Sequence, residues 1–159
     1  PSMRELKRLK VRSVCLGSYI PWDTKRNSKV IMEELEWEGD EVEGVPFDLY
    51  PYEKIECYMQ GVRDYIKFLK RGYSRVTQMA ALDLRNERIS KDKADKLINE
   101  YEGKKPPSLD LLLEYLNITE QEFNNIVLKT VIPPHKPEFD SIQTGKKTQD
   151  FDRWYREEN

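Results

Sequence analysis

Apolar residues fall into a helical rhythm from Tyr58 onward. Tyr58, Met59, Val62, Ile66 and Leu69 recur at spacings of three and four, while Arg63, Asp64, Lys67 and Lys70 take the other face. Gly72 follows directly, the residue type expected where a helix ends in a left-handed conformation. Val76, Met79, Ala80 and Leu84 continue as a second helix starting near Ser74, whose hydroxyl is placed to cap it. Three stronger stripes come next. Ser90 precedes Ala94, Leu97, Ile98 and Tyr101, stopped by Gly103; Ser108 precedes Leu109, Leu112, Leu113 and Leu116. Thr119 and Glu122 form a capping box ahead of Phe123, Ile126 and Val127, and Pro133-Pro134 ends the run. Three such helices on short loops must bury their stripes against one another, which makes a compact helical lobe.

The first third lacks this rhythm. Residues 3–10 read as a short basic helix, and "VRSVCLGSYI" has the β-branched and aromatic content of a strand, broken by Gly17, Pro21 and Trp22. A helix is predicted from about Lys29 to Trp37, followed by a loop, "EGDEVEGVPFDLYPY". The expected fold is mostly α, with one or two strands remaining at the N-terminal side. Three regions follow: 1–54 as the edge of an α/β domain with an acidic loop, 55–132 as the helical lobe, and 133–159 as a polar tail, extended or disordered, whose Phe151, Trp154 and Tyr155 could dock on a surface.

Composition changes this picture in one respect. The net charge is only −2, but Glu33 to Glu56 holds ten acids against Lys54 alone, whereas Arg63 to Arg88 holds seven bases against Asp64, Asp83 and Glu87. A near-neutral total argues against wrapping nucleic acid and leaves room for a local anion site. No apolar run is long enough for a membrane span, and no leader pattern is present, which points to a cytoplasmic protein. Cys15 and Cys57 lie far apart and read as small buried hydrophobes, not as zinc ligands or a disulfide.

The basic residues gather in "KFLKRGYSRVTQMAALDLRNERIS", Lys67 to Ser90. Most such clusters are the solvated face of a helix. Here, however, Arg71, Gly72 and Arg75 stand at a helix-to-helix turn, where the free N–H groups of the second helix and flanking guanidinium groups can converge on one anion. Glu87 partly neutralises Arg85 and Arg88. The helix-turn-helix pattern of "SLDLLLEYLNITEQEFNNI" does not suit DNA, because Glu120 and Glu122 open the would-be recognition helix. His135, the single histidine, reads as a surface residue in a proline-rich loop.

The run "EKIECYMQGVRDYIKFLKRGYSRVTQMAALDLRNERISKDKADKLINEYEGKKPPSLDLLLEYLNITEQEF" resembles the C-terminal part of the N-acetyl sugar amidotransferases of the ATP pyrophosphatase (PP-loop) superfamily, which act in surface polysaccharide biosynthesis. "CLGSYIPWDTKR" and "WEGDEVEGVP" are similar to the segment just before it, so the resemblance spans Val14 to Pro134. It implies a helical C-terminal region of an α/β enzyme. The implied reaction converts an acetamido group of a nucleotide-linked sugar into an acetamidino group in lipopolysaccharide or O-antigen synthesis. ATP and Mg²⁺ would serve the full enzyme, with ammonia from a partner glutaminase.

Ser74 and Glu87 stand where the family's G-Y-G-R and I-R-N-G-R turns carry their second glycines. The superfamily's S-G-G-x-D-S phosphate loop does not occur, so this chain alone is expected not to bind ATP tightly and to need an upstream PP-loop domain or subunit. Arg71, Gly72, Tyr73, Ser74 and Arg75 are the expected phosphate contacts, to ATP or to the nucleotide sugar. Asp83 and Arg85 are weaker candidates, and Tyr19, Trp22 and Asp23 are placed to line the same cleft, although Trp22 also reads as a packing anchor. The competing reading is a non-catalytic module that docks a partner through the lobe from Ser90 to Thr130.

Overall fold

The computed structural model describes residues 2–53 and 57–146. The chain divides into two compact units, Pro1–Trp37 and Glu38–Asn159. In the first, α1 (Met3–Arg8) starts in a capping box between Ser2 and Glu5. The residues expected to form a strand do not. A strand needs a neighbour to receive its N–H groups, and here Ser18, Tyr19 and Ile20 donate backward to Cys15 and Leu16 in a 3₁₀ turn, Leu16–Ser18. The second helix begins earlier than the pattern suggests, as α2 (Thr24–Leu35), because the Asp23 side chain accepts from the Arg26 N–H at 3.3 Å. Trp22 and Tyr19 are exposed, so Trp22 does not anchor packing within this unit. Cys15 and Cys57 are also exposed, contrary to the expectation from their residue type.

The second unit is built on α3 (Gln60–Arg71), α4 (Arg75–Arg85), α5 (Lys91–Tyr101), α6 (Ser108–Leu116) and α7 (Glu120–Leu128). Helix α3 packs on α6 and α7, while α4 pairs with α5. The main core joins Val62, Tyr65 and Leu69 of α3 to Leu109 of α6 and to Phe123 and Val127 of α7. Each apolar side chain so buried contributes on the order of 1.5–3 kcal/mol of transfer free energy. A second cluster seats Val42, Val45 and Tyr50 of the acidic loop against Met79 of α4. Residues 38–53 therefore belong with the helical lobe and not with the N-terminal segment.

The helix ends follow the pattern in part. Gly72 closes α3 at φ 79°, its N–H donating to the Phe68 carbonyl at 2.7 Å. Ser90 caps α5, and Thr119 with Glu122 forms the capping box of α7. Helices α4 and α6 behave differently. Ser74 makes no cap bond to its own helix, and Ser108 is the first residue of α6. The described part of the tail is folded onto the lobe: Phe139 and Ile142 pack against the main core, and Lys105 pairs with Thr144 in an isolated parallel bridge. Phe151, Trp154 and Tyr155 lie outside the described residues.

Candidate functional site

The basic turn connects α3 to α4, and its side chains divide between two surfaces. The anion expected at the start of α4 is there, and the protein supplies it. Glu102, just past α5, accepts from the Thr77 N–H at 2.9 Å and the Thr77 hydroxyl at 2.6 Å, and also from the Ser74 hydroxyl. A carboxylate against these donors satisfies the helix N-terminus as an external phosphate would. Arg75 is likewise engaged within the fold. One guanidinium nitrogen lies 3.0 Å from Glu53 and Nε lies 3.7 Å from Asp64. Glu43 repeats the device at α6, where its buried carboxylate accepts from the Ser108 N–H at 3.1 Å and from the Ser108 hydroxyl.

Arg71 and Tyr73 turn the other way. With Ile132, Pro133, Pro134 and His135 they line a shallow hollow of about 450 Å³. Lys67 places its ammonium 5.6 Å from the centre of the Tyr73 ring. Among the described residues Arg71 makes no ion pair, in contrast to Arg75, so its charge is available to a ligand. His135 is half-buried, not on the surface. Its ring stands edge-on to Phe68, and a Cβ at Gly72 would lie 2.8 Å from its Nδ1. Gly72 thus serves the turn twice, in its left-handed backbone and in the room it leaves for the imidazole.

Asp83 and Arg85 are not brought to either end of this turn. Asp83 is buried, accepts from the Tyr50 hydroxyl at 2.8 Å and lies 3.3 Å from Arg88. Burial, then the Asp83 carboxylate, raises the Tyr50 pKa strongly. Arg85 is exposed. Tyr19, Trp22 and Asp23 belong to the N-terminal unit, where Asp23 caps α2.

A larger cleft, about 560 Å³, lies on the Ser74–Arg75 side of the turn. Its walls are the Glu41–Phe47 loop, α3, the α5–α6 connection and residues 143–146 of the tail. The last wall is fastened to the lobe: the Lys105 N–H donates to the Gln143 carbonyl at 2.9 Å, and the Gly145 N–H donates to the Lys105 carbonyl at 2.8 Å. Lys104 Nζ adds a bond to the Gln143 side chain at 2.6 Å.

Residues 47–153 match the family model for the C-terminal domain of LPS biosynthesis proteins of the WbpG-like type. The chain belongs to that family. As a WbpG-like C-terminal domain it has a role in lipopolysaccharide biosynthesis, and the match covers α3 to α7, both surfaces of the turn and the described tail. No curated protein and no solved structure matches the chain. Among the described residues no helix is long and apolar enough to cross a membrane.

The residues of this WbpG-like domain do not suit a magnesium triphosphate. The α4 N-terminus is taken by Glu102, and the larger cleft sets Glu41, Glu43, Asp64 and Glu100 against Arg75, Lys104 and Lys146. The hollow at Arg71, with one free guanidinium and an ammonium close by, suits a single phosphate or diphosphate.

Proposed function

We propose that the chain is the C-terminal domain of an ATP-dependent amidotransferase. It would act in lipopolysaccharide or O-antigen synthesis, on a nucleotide-linked sugar whose acetamido group becomes an acetamidino group. The family match over residues 47–153 carries this reading. Within it, a companion PP-loop domain or subunit in the cytoplasm holds ATP and Mg²⁺, and a glutaminase partner supplies ammonia. This chain's own task is to hold the nucleotide sugar.

Arg71 and Tyr73 contact the diphosphate, with Lys67 adding long-range attraction. Support comes from the absence of an internal acid partner for Arg71 among the described residues and from the concave surface that it shares with His135. Ser74 and Arg75 hold the turn in shape through Glu102, Glu53 and Asp64. A guanidinium that forks a phosphate contributes charge-assisted hydrogen bonds, so Arg71→Ala is expected to weaken nucleotide-sugar binding about tenfold.

The test joins the chain to its companion domain and supplies nucleotide sugar, ATP, Mg²⁺ and isotopically labelled ammonium. Label in the sugar's acetamidino group, lost on omitting the chain, is the expected result. Unmodified sugar with every component present overturns the reading. The second reading, a non-catalytic docking module, is favoured by the exposure of Tyr115 on α6 and of Ile126 and Leu128 on α7. It predicts that Tyr115→Ser together with Ile126→Ser abolishes partner association while leaving nucleotide binding absent throughout.

A further inference from the structure

The N-terminal unit, Pro1–Trp37, buries almost nothing. Among its described residues only Ser28 is buried, and no apolar side chain of the unit enters either hydrophobic cluster. A segment that hides so little apolar surface gains little from folding by itself. Two stretches leave apolar side chains uncovered. In the first, Val11, Val14 and Leu16 are each more than half exposed. The second is α2, where Ile31 and Leu35, one helical turn apart, are exposed beside Val30.

The backbone of the first stretch is as bare as its side chains. Among the described residues the N–H groups of Arg12, Ser13, Val14 and Cys15 have no hydrogen-bond partner, and Cys15 is extended, at φ −76° and ψ 105°. In a strand, successive side chains take opposite faces, so Val14 and Leu16 would share one side and Val11 and Cys15 the other. Apolar side chains on both sides are the pattern of a strand in a sheet that helices cover on each face. A helix with its own uncovered stripe follows here, which makes the pair one βα step of such a sheet.

Charge and hydrogen bonding together name the occupant. Residues 4–12 carry Arg4, Lys7, Arg8, Lys10 and Arg12 against Glu5 alone, so the receiving surface is acidic. An anionic bilayer would match this charge, but its hydrocarbon offers nothing to four unpaired amides. A second copy provides no strand among its described residues. A protein sheet with an open edge pairs the amides and covers the side chains.

We propose that residues 11–16 add as a strand to an open, acidic-rimmed sheet edge of the companion domain, and that α2 packs across that sheet through Val30, Ile31 and Leu35. The proposal deepens the amidotransferase reading, on which it rests for the companion's identity, by assigning the contact between the two. That contact lies outside the matched residues 47–153.

The test measures residue-resolved amide hydrogen exchange of the full chain, alone and with the companion PP-loop domain or subunit. Alone, Arg12 to Cys15 should exchange at the rate of an unstructured peptide. With the companion, alternate amides of this run should slow at least about a hundredfold, since a strand at a sheet edge turns every second N–H outward. Ile31→Ser together with Leu35→Ser, both at exposed positions, should weaken association about a hundredfold while the unfolding midpoint of the lobe stays unchanged. Unchanged exchange in the companion's presence, or equal association of the double variant, overturns the proposal. Protection of the same amides by phosphatidylglycerol vesicles, or by raising the chain's own concentration, overturns it in favour of lipid or of a second copy. Label transfer to the sugar with these amides unprotected sinks this contact alone. Protected amides with no label transfer sink the amidotransferase reading instead.

Discussion

Replacing Glu102 asks whether the α4 N-terminus is an anion site that the protein fills for itself. Glu102→Ala removes the acceptor of the Thr77 N–H, the Thr77 hydroxyl and the Ser74 hydroxyl. The site is only partly buried, so water replaces some of what is lost, and the appropriate scale is that of a strong helix cap. The cost is about 2 kcal/mol, of which charge–dipole attraction is about 0.3–1 kcal/mol. With a urea slope of about 2 kcal/mol per molar, the unfolding midpoint should fall by about 1 M. Glu102→Gln keeps an acceptor and loses the charge, so it should lie between the two. Inorganic phosphate can enter the vacated N-terminus, and it should raise the midpoint of Glu102→Ala more than that of the parent chain. An unchanged midpoint in Glu102→Ala, or equal phosphate stabilisation of both proteins, would refute the reasoning.

Further outcomes are expected elsewhere. Gly72→Ala places a Cβ at φ 79° and 2.8 Å from His135 Nδ1, so it should cost at least about 1 kcal/mol by urea titration; no loss would show that neither the left-handed backbone nor the imidazole constrains this position. Leu109→Ala, in the main core, should cost about 2–5 kcal/mol by the same measurement. Hydrogen bonds from the Thr119 backbone and side chain lower the Glu122 pKa. The resulting stability is present above the ordinary carboxylate range and is lost as pH falls through the depressed value, so Glu122→Gln should flatten the acid limb of the stability profile. Tyr65 runs the opposite way. Burial, then Glu120, pushes its pKa up to about 12, so its contribution is complete below the ordinary value of 10.0 and disappears as pH rises toward 12, a loss that Tyr65→Phe should remove. A spectrophotometric titration in which Tyr65 ionises like a free phenol would contradict this.

Local information carried much of the lobe. The apolar stripes marked α3 to α7, and the left-handed Gly72 and the Thr119–Glu122 box could be read because their partners lie within one helical turn. Tyr65 was within reach of the same pattern, since it sits three residues after Val62 and four before Leu69 on the α3 stripe. The hydrogen bonds of Ser74 and Ser108 were not, because their partners are 28 and 65 residues away, and nothing local sets Glu102 or Glu43 apart from other acids of this charge-rich chain. "VRSVCLGSYI" misled for a related reason: β propensity describes fit to a pleated neighbour, and no neighbouring strand is present among the described residues.

The strip that fastens Gln143 and Gly145 to Lys105 gives the experimenter a handle. Lys146 lies on the cleft rim, so a fluorophore on Lys146→Cys would sit at its mouth and report filling by a change in emission. Cys15 and Cys57 are exposed and would have to be replaced first, since each would take the dye. Ending the polypeptide after Pro137 would remove that wall together with Phe139 and Ile142, which pack against the core, so such a trimmed protein would open the cleft and lose stability at once.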